Sequence, residues 1–220
     1  DPAARPLPFR EFVALMALMT SLVALSIDAI LPALSVIGPA LGVRDPNQPQ
    51  WMITALFLGL AAGQLVYGPY ADSAGRKRAA GWGFTFFIAG SVVAWGAPNW
   101  PIFLAGRALQ GLGAAGPRVM TLTLIRDQYE GRAMARVMSF VTTVFILVPV
   151  VAPILGQFLL DAAGWRSIFA MYLVLAVTAW IWLACRQPET LTPAHRHPFG
   201  GLELARGIRD VLSHRAVLGY

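Results

Sequence analysis

The sequence predicts an all-α membrane protein with six transmembrane helices. Hydrophobic residues make up 57% of its 220 residues and charged residues only 13%, and the mean hydropathy is +0.61. A soluble domain is nearer one quarter charged and has no long uncharged stretches. Six mostly apolar segments are each about 20 residues long or more, which lets a helix cross a bilayer. They are too long for barrel strands, and lipid cannot satisfy exposed backbone groups, so only helices fit.

Short loops join the six predicted spans, so neighbouring helices should run antiparallel. Basic residues concentrate in alternate loops, whereas the loops on the other side hold only Arg44 and Arg166. Because Lys and Arg are enriched in cytoplasmic loops, we expect the N-terminus and the end of the sixth span to be cytoplasmic. The spans lie at 12–34, 51–71, 79–97, 101–125, 134–160 and 165–184.

The chain divides into four segments by composition. Residues 1–11 form a cytoplasmic N-terminal segment, and residues 12–185 form the six-helix bundle. Residues 186–215 read as a cytoplasmic linker rich in proline and charge, ending in an amphipathic helix. The apolar residues of 216–220 resemble the start of a seventh span, so we expect the chain to be truncated.

Several classes of protein are excluded by the polar residues. The net charge of +6 is spread over short loops, so the chain does not form a nucleic-acid-binding patch. Cys185 is the only cysteine, and all three histidines lie in the C-terminal tail, so we expect no disulfide and no metal site. A membrane enzyme would need converging nucleophiles or metal ligands, which the spans lack. We therefore predict no catalytic residues.

One acidic residue, Asp28, lies well inside an apolar segment. Ionisable groups within a membrane are costly and usually face the protein interior or a water-filled cavity. Pro32 cannot donate the helical hydrogen bond to the Asp28 carbonyl, so we expect a bend there. Two interpretations stay open: Asp28 exchanges protons or meets a cationic substrate, or a buried partner holds it in one state.

The fourth span carries two arginines. Arg107 and Arg118 are separated by about three helical turns, so they share one face, and Gln110 lies one turn beyond Arg107. A guanidinium stays charged at any relevant pH and must find acceptors or water. These side chains either line a functional cavity or act as structural pins between helices.

Small residues crowd the second and fourth spans, where they let helix backbones approach closely. In the fifth span, Pro149, Pro153 and Gly156 lie within two turns of each other. Each proline frees a carbonyl and weakens the helix, so we expect a bend or pivot. An ordinary packing kink explains the same residues.

Two motifs carry a family resemblance. Membrane orientation explains the basic residues of the stretch "GPYADSAGRKR". It does not explain why Asp72 and Gly75 lie at a fixed spacing from them. The loop signature G-x-L-A-D-R-x-G-R-K/R is matched at Gly68, Ala71, Asp72, Gly75, Arg76 and Lys77, and R-x-x-Q-G at Arg107, Gln110 and Gly111. With these motifs the chain resembles the N-terminal half of a major facilitator superfamily transporter, and "DSAGRK" and "RQPETL" resemble its Bcr/CflA-like drug-exporter branch. The antiporter motif G-P-x-x-G-G differs here, where 152–157 reads "APILGQ".

The resemblance implies one half of a twelve-helix fold, with a substrate cavity between two six-helix halves and alternating access. It implies a monomeric transporter in the bacterial inner membrane that uses the proton gradient and no cofactor. The C-terminal half would be missing from this chain. The residues implied for proton coupling and the substrate cavity are Asp28, Arg107, Gln110 and Arg118. Those implied for a conformational latch are Gly68, Asp72, Gly75, Arg76, Lys77 and Asp127.

The leading hypothesis is therefore proton-coupled efflux of small amphipathic drugs. A facilitator or proton symporter for a small nutrient or metabolite is the nearest alternative, and transport direction separates the two. A non-transporting six-helix accessory subunit is a further alternative, against which the apolar restart at 216–220 argues.

Overall fold

The computed structural model describes residues 7–45 and 47–191, and all regular structure in these ranges is helical. The prediction of an all-α bundle is confirmed. Short 3-10 helices at Leu31–Ala33 and Gln48–Gln50 precede the second and third α-helices. The bounds are α1 Phe9–Asp28, α2 Leu34–Ala40, α3 Trp51–Ala74, α4 Arg76–Trp95, α5 Trp100–Gln128, α6 Gly131–Ala163 and α7 Arg166–Arg186.

The six predicted spans correspond to α1 with α2, and then to each of α3 to α7. Four of these are long and apolar enough to cross a membrane by length and composition alone. The other two, α4 and α5, are the least hydrophobic of the long helices, because α4 starts with three basic residues and α5 contains Arg107 and Arg118. They pack most extensively against each other, and α5 also packs along α3. The four segments that are long and apolar enough to cross a membrane are Phe9–Ala40, Gln48–Ala74, Gly131–Ala163 and Arg166–Arg186.

Three of the four predicted segments extend beyond the described residues, and of 1–11 the structure describes only 7–11. The amphipathic helix expected in the linker and the seventh span expected at 216–220 both lie outside them. Of the linker at 186–215, the structure describes only 186–191.

Glycines set the spacing of α3, α4 and α5. A Cβ on Gly111 of α5 would lie 1.9 Å from the Leu56 carbonyl oxygen of α3, and one on Gly113 would lie 2.0 Å from the Phe87 amide nitrogen of α4. Real Cβ atoms do not approach other atoms so closely, so no larger residue fits at these positions. The small residues of the fourth span therefore allow α5 to touch both neighbours backbone to backbone.

The first span breaks where the sequence predicts a bend. α1 ends at Asp28, and a 3-10 turn containing Pro32 leads into α2. The amide of Ala29 still donates to the Leu25 carbonyl at 3.0 Å, but Pro32 has no amide to donate to the Asp28 carbonyl. The hydroxyl of Tyr172 in α7 donates to the same Leu25 carbonyl, also at 3.0 Å. A neighbouring helix thus supports the last turn of α1.

α6 crosses α1 at this break. A Cβ on Gly156 would lie 1.9 Å from the Ala29 carbonyl oxygen, so the two backbones are in contact. Pro149 and Pro153 lie inside α6, which continues as one helix from Gly131 to Ala163. The three predicted pivot residues therefore lie in an unbroken helix, and the last of them touches the break in the first span.

Candidate functional site

Arg107 is completely buried and joins three helices through uncharged acceptors. Its Nη2 donates to the Ser26 carbonyl at 2.8 Å, and its Nε donates to the Met52 carbonyl at 3.3 Å. Its Nη1 donates to Gln110 Oε1 at 2.5 Å. The guanidinium also lies 6.0 Å from the centre of the Phe169 ring. Within the described ranges, no carboxylate lies at ion-pair distance from Arg107.

Gln110 extends this network to α4. Its Nε2 donates to the Ser91 hydroxyl at 2.8 Å, and Ser91 in turn donates to the Phe87 carbonyl at 2.7 Å. Arg107, Gln110 and Ser91 are all fully buried. A buried polar network stabilises one arrangement only when every member is satisfied, as it is here. Arg107 and Gln110 thus connect α1, α3, α4 and α5 and face no open cavity in this conformation.

Asp28 lies two residues beyond the carbonyl that Arg107 holds. It is half-buried at the end of α1, and no described residue forms an ion pair with it. Arg107 and Asp28 both lie within electrostatic reach of the Tyr172 hydroxyl, which donates to the Leu25 carbonyl. Asp28 is thus placed at a break in a membrane helix, two residues beyond the carbonyl that the buried Arg107 binds.

Arg118 lies in a different setting from Arg107. It is half-buried and lines a cleft of about 180 Å³ between α1, α5 and α6. Its guanidinium lies 5.9 Å from the centre of the Phe145 ring of α6. The two arginines of the fourth span therefore both turn towards α1, but only Arg118 reaches an open cleft.

A second polar cluster lies where α3 joins α4. We call the end of the bundle at which α1 begins and α7 ends the N-terminal face, and this junction belongs to it. Arg76 Nη1 is hydrogen-bonded to Asp72 Oδ1, and Arg76 Nε donates to Asp127 Oδ2 at 3.3 Å. The Arg76 side chain is 12% exposed, whereas those of Asp72 and Asp127 are 51% and 25% exposed. The end of α3, the start of α4 and the end of α5 therefore meet in one charge cluster.

Glu189 adds a partner to this cluster that sequence reasoning missed. Its Oε1 accepts from the Arg76 amide at 2.9 Å and its Oε2 accepts from the Lys77 amide at 3.1 Å. The next residue, Thr190, donates its hydroxyl to Asp127 Oδ2 at 2.6 Å. These bonds attach the segment that follows α7 to the first turn of α4. The stretch "RQPETL" contains both residues, but nothing in the sequence alone pairs it with a loop more than a hundred residues earlier.

A single residue, Gly75, connects α3 and α4. Its φ of +105° lies in the region that favours glycine, and a Cβ there would lie 2.6 Å from Glu189 Oε2. Gly68 differs, because a Cβ there would meet open space. Lys77 takes part through its backbone amide. The spacing of Gly75 from the charged residues is therefore explained by both the turn and the close carboxylate.

Arg76 remains charged in this cluster. Burial lowers its pKa, but the hydrogen bond and charge of Asp72, together with those of Asp127, outweigh burial and raise the pKa above its ordinary value.

A third contact closes the N-terminal face between α1 and α7. Arg186 Nε and Nη2 donate to the two oxygens of Glu11 at 2.8 Å each, and Trp182 Nε1 donates to Glu11 Oε1 at 3.1 Å.

Among the described residues, no group of three or more His, Cys, Asp and Glu side chains could hold a metal ion.

Curated relatives match over most of the chain. A bicyclomycin resistance protein homolog of Haemophilus influenzae is 31% identical over 209 residues, which are 95% of this chain and 52% of that protein. The multidrug resistance protein MdtL of Escherichia coli is 38% identical over 119 residues, which are 54% of this chain and 30% of that protein. This chain therefore spans about half the length of the bicyclomycin resistance protein homolog.

Solved structures share the fold. The xylose transporter XylE of E. coli, in a partially occluded inward-open conformation, superposes with a TM-score of 0.73 at 16% identity, over 96% of this chain and 57% of that one. The human organic anion transporter MFSD10 gives a TM-score of 0.68 at 19% identity, over 91% of this chain and 53% of that one.

A family model covers nearly the whole chain, including the residues around Arg107 and those around Arg76. It is described as Major Facilitator Superfamily and matches residues 16–220. This superfamily comprises membrane transporters rather than enzymes, and its members need no cofactor. Together with the helices of membrane length and the relatives named above, the match shows that this chain is a membrane protein that belongs to the Major Facilitator Superfamily.

Proposed function

We propose that the protein exports small, amphipathic, drug-like compounds from bacteria in exchange for protons. The observation that carries the proposal is Asp28, a half-buried carboxyl at a helix break inside the first span that forms no ion pair with any described residue. An intramembrane carboxyl without a partner is a functional site by default, because the cost of placing it there is otherwise unexplained. The names of the bicyclomycin and multidrug resistance relatives support efflux of drugs over other cargo.

The coupling mechanism that we propose runs through the end of α1. Protonation of Asp28 removes a charge from the break, and the network that Arg107 forms with the Ser26 carbonyl holds the preceding turn in place. Gly156 of α6 packs on the Ala29 carbonyl, immediately after Asp28. A change in the preferred geometry at the break would therefore be passed to α6. Proton and substrate then shift the protein between conformations through their different affinities for each.

In this proposal Arg107 and Gln110 position α1 rather than contact the substrate. Both are completely buried, and every hydrogen bond of Arg107 goes to a carbonyl or an amide oxygen. Arg118 instead faces the cleft and belongs to the substrate cavity. Pro149, Pro153 and Gly156 supply the pivot at which α6 adjusts to the break in the first span.

The N-terminal face is the proposed site of a latch, built from Asp72, Gly75, Arg76, Lys77 and Asp127. Gly68 contributes space at the end of α3 rather than a contact. An exposed ion pair alone contributes only about 0–1 kcal/mol, so a latch needs a network. Glu189 and Thr190 provide that network here, since they tie the exit from α7 to the same charges.

The proposed setting completes the picture. The protein lies in the bacterial inner membrane with its N-terminal face in the cytoplasm, since that face carries the basic loops. Residues 12–185 form one six-helix half, with the flanking segments 1–11 and 186–215 on the cytoplasmic side. A second six-helix half encloses the cavity, and the complete transporter acts as a monomer by alternating access.

The test is Asp28→Asn in the full-length protein, reconstituted in vesicles with an imposed pH gradient. We expect the variant to remain folded, to bind ethidium as a test drug and to lose gradient-driven ethidium transport. Glu130→Gln, which removes an exposed carboxylate between α5 and α6, serves as the matched control and should transport normally. Wild-type ethidium accumulation by Asp28→Asn overturns the proposal. So does transport of ethidium in the direction expected of an importer.

A further inference from the structure

Arg118 is a half-buried cation without a partner among the described residues. Neither an ion pair nor a hydrogen bond links it to any residue in 7–45 or 47–191, and its guanidinium lies 5.9 Å from the centre of the Phe145 ring. A half-buried guanidinium must be compensated by acceptors or by water. Its contact with the ring face adds only a weak attraction. The arginine is therefore placed so that an acceptor supplied from outside the chain can reach it.

The contrast with Arg107 shows that the chain could have satisfied this cation. Arg107, on the same face of α5, is bonded to the Ser26 carbonyl, the Met52 carbonyl and Gln110. Three helices supply those acceptors. Around Arg118, α1 and α6 leave a cleft instead. A purely structural arginine would be expected to resemble Arg107.

The walls of the cleft are suited to one kind of ligand. Thr20 and Thr121 donate their hydroxyls to the Met16 and Pro117 carbonyls, at 2.9 Å each. Thr142 is exposed, and its hydroxyl donates to no described residue, which leaves it free to donate to a ligand. The remaining walls are apolar and include Met138, Val141 and Phe145. Arg118 and Thr142 therefore form a pair of donors beside an aromatic and aliphatic surface, without an opposing carboxylate.

The size of the cleft defines which part of a ligand it holds. Its volume of about 180 Å³ is smaller than a pocket that encloses a drug-sized molecule, which is roughly 300–1,000 Å³. It can take a charged group and an attached ring edge, while the rest of the ligand extends through the open side. A sulfonate or carboxylate would accept hydrogen bonds from the guanidinium in the charge-assisted geometry that makes such bonds strong.

We propose that Arg118 and Thr142 form an anion-binding subsite that admits amphipathic organic anions among the substrates. The acidic group binds between these two donors, and the apolar body lies against Phe145 and Val141. This inference rests on the proposed function, in which the cleft belongs to the substrate cavity. The inference adds a substrate class to the proposed function, namely compounds that bear a sulfonate or carboxylate on an aromatic body.

The test compares two probes that differ only in the acidic group. These are 1-anilinonaphthalene-8-sulfonate and its uncharged parent N-phenyl-1-naphthylamine. Their dissociation constants are measured by fluorescence on the full-length protein in phosphatidylcholine nanodiscs, after subtraction of empty discs. We expect the wild type to bind the sulfonate more tightly than the parent. Arg118→Gln should weaken sulfonate binding about tenfold, the effect of losing a charge-assisted hydrogen bond, and leave the parent unchanged. Arg118→Lys should retain part of the preference.

Two controls make the outcome specific. Arg44→Gln removes the same charge from an exposed loop and should leave both dissociation constants unchanged. Thermal unfolding and monodispersity establish that each variant is folded. Equal binding of both probes by the wild type overturns the proposal. So does a parallel loss of both probes in Arg118→Gln, or an equal loss in Arg44→Gln.

The assay is separate from the test of the proposed function because it measures binding at equilibrium without a gradient. If the sulfonate preference is present while Asp28→Asn still transports, proton-coupled export fails and the subsite stands. If transport depends on Asp28 while the preference is absent, only the subsite fails.

Discussion

Glu189 caps the helix that begins at Arg76. Its two carboxylate oxygens accept hydrogen bonds from the amides of Arg76 and Lys77 at 2.9 and 3.1 Å. The first amides of a helix have no partner within the helix, and the N-terminal end carries a partial positive charge. A carboxylate from the segment after α7 therefore stabilises the start of α4, although more than a hundred residues separate the two in sequence.

The cap predicts the effect of Glu189→Gln. Loss of the negative charge should destabilise the first turn of α4 by about 0.5–2 kcal/mol, the range measured for helix caps. We expect faster hydrogen–deuterium exchange in peptides that contain Arg76 and Lys77, measured by mass spectrometry in nanodiscs. Glu130→Gln is the matched control, because Glu130 precedes α6 without a side-chain capping bond. Unchanged exchange in Glu189→Gln would show that the cap contributes nothing.

Gly75→Ala should destabilise the same junction. Alanine would have to adopt a φ of +105° and place its Cβ 2.6 Å from Glu189 Oε2, so the backbone or the cap must move. Backbone conformations of this kind cost non-glycine residues roughly 1–3 kcal/mol. We expect a lower Tm in detergent. Gly68→Ala introduces the same methyl group into open space and should keep the Tm or raise it slightly. Equal Tm values for both variants would contradict the strain at Gly75.

Arg107→Lys should be severely destabilising despite keeping the charge. A lysine ammonium cannot reach the Ser26 carbonyl, the Met52 carbonyl and Gln110 together, because it lacks the planar fork of donors. Each acceptor left buried without a donor costs about 1–3 kcal/mol. We expect low yields of folded protein on size-exclusion chromatography. Arg166→Lys is the control, since Arg166 donates to the Trp95 carbonyl at an exposed site. A normal yield for Arg107→Lys would argue against the network as a structural element.

Gly156→Ala should separate α6 from the break in the first span. The added methyl would lie 1.9 Å from the Ala29 carbonyl oxygen, which belongs to the backbone and cannot rotate away. We expect reduced transport and a changed distance between spin labels on α1 and α6, measured by pulsed electron paramagnetic resonance. Gly81→Ala, whose Cβ would meet only Trp180 Nε1 at 3.6 Å, should leave both unchanged. An unaltered distance in Gly156→Ala would mean that the contact does not set the position of α6.

Asp72→Asn tests the proposed latch. The variant loses the ion pair with Arg76, while Asp127 and Glu189 keep their bonds to it. We expect a shift in the ratio of inward-facing to outward-facing conformations of the full-length protein, read from spectroscopic distances between its two halves. Asp45→Asn, at an exposed turn on the opposite side of the bundle, serves as the control. A ratio identical to that of the wild type would mean that Asp72 takes no part in a latch.

Much of the fold followed from the sequence because long apolar runs leave little choice in a membrane. Each predicted span overlaps one or two of the observed helices, and the break at Pro32 followed from the missing amide of proline. The observed helices extend beyond the predicted spans at most ends, as α6 does from Gly131 to Ala163. Hydropathy marks the part of a helix that suits lipid, not the point at which its backbone bonds end.

The partners of the charged residues were harder to predict. Arg107 and Arg118 have the same chemistry and the same helix face, yet one is surrounded by acceptors and the other faces a cleft. The difference comes from carbonyls and hydroxyls of other helices, at Ser26, Met52 and Ser91, whose residue types carry no signal of that role. Glu189 was overlooked for the same reason, because a cap from a distant segment leaves no periodicity to detect.

The backbone contacts of Gly111 and Gly113 bear on which parts of the bundle move. Where helices touch through peptide groups, sliding or rotation meets atoms that cannot change rotamer, so α3, α4 and α5 should behave as one stiff plate. α6 contacts α1 mainly and leaves much of its length uncovered. Deformation during a transport cycle should therefore concentrate in α1 and α6, with the plate as the fixed frame against which their displacement is measured.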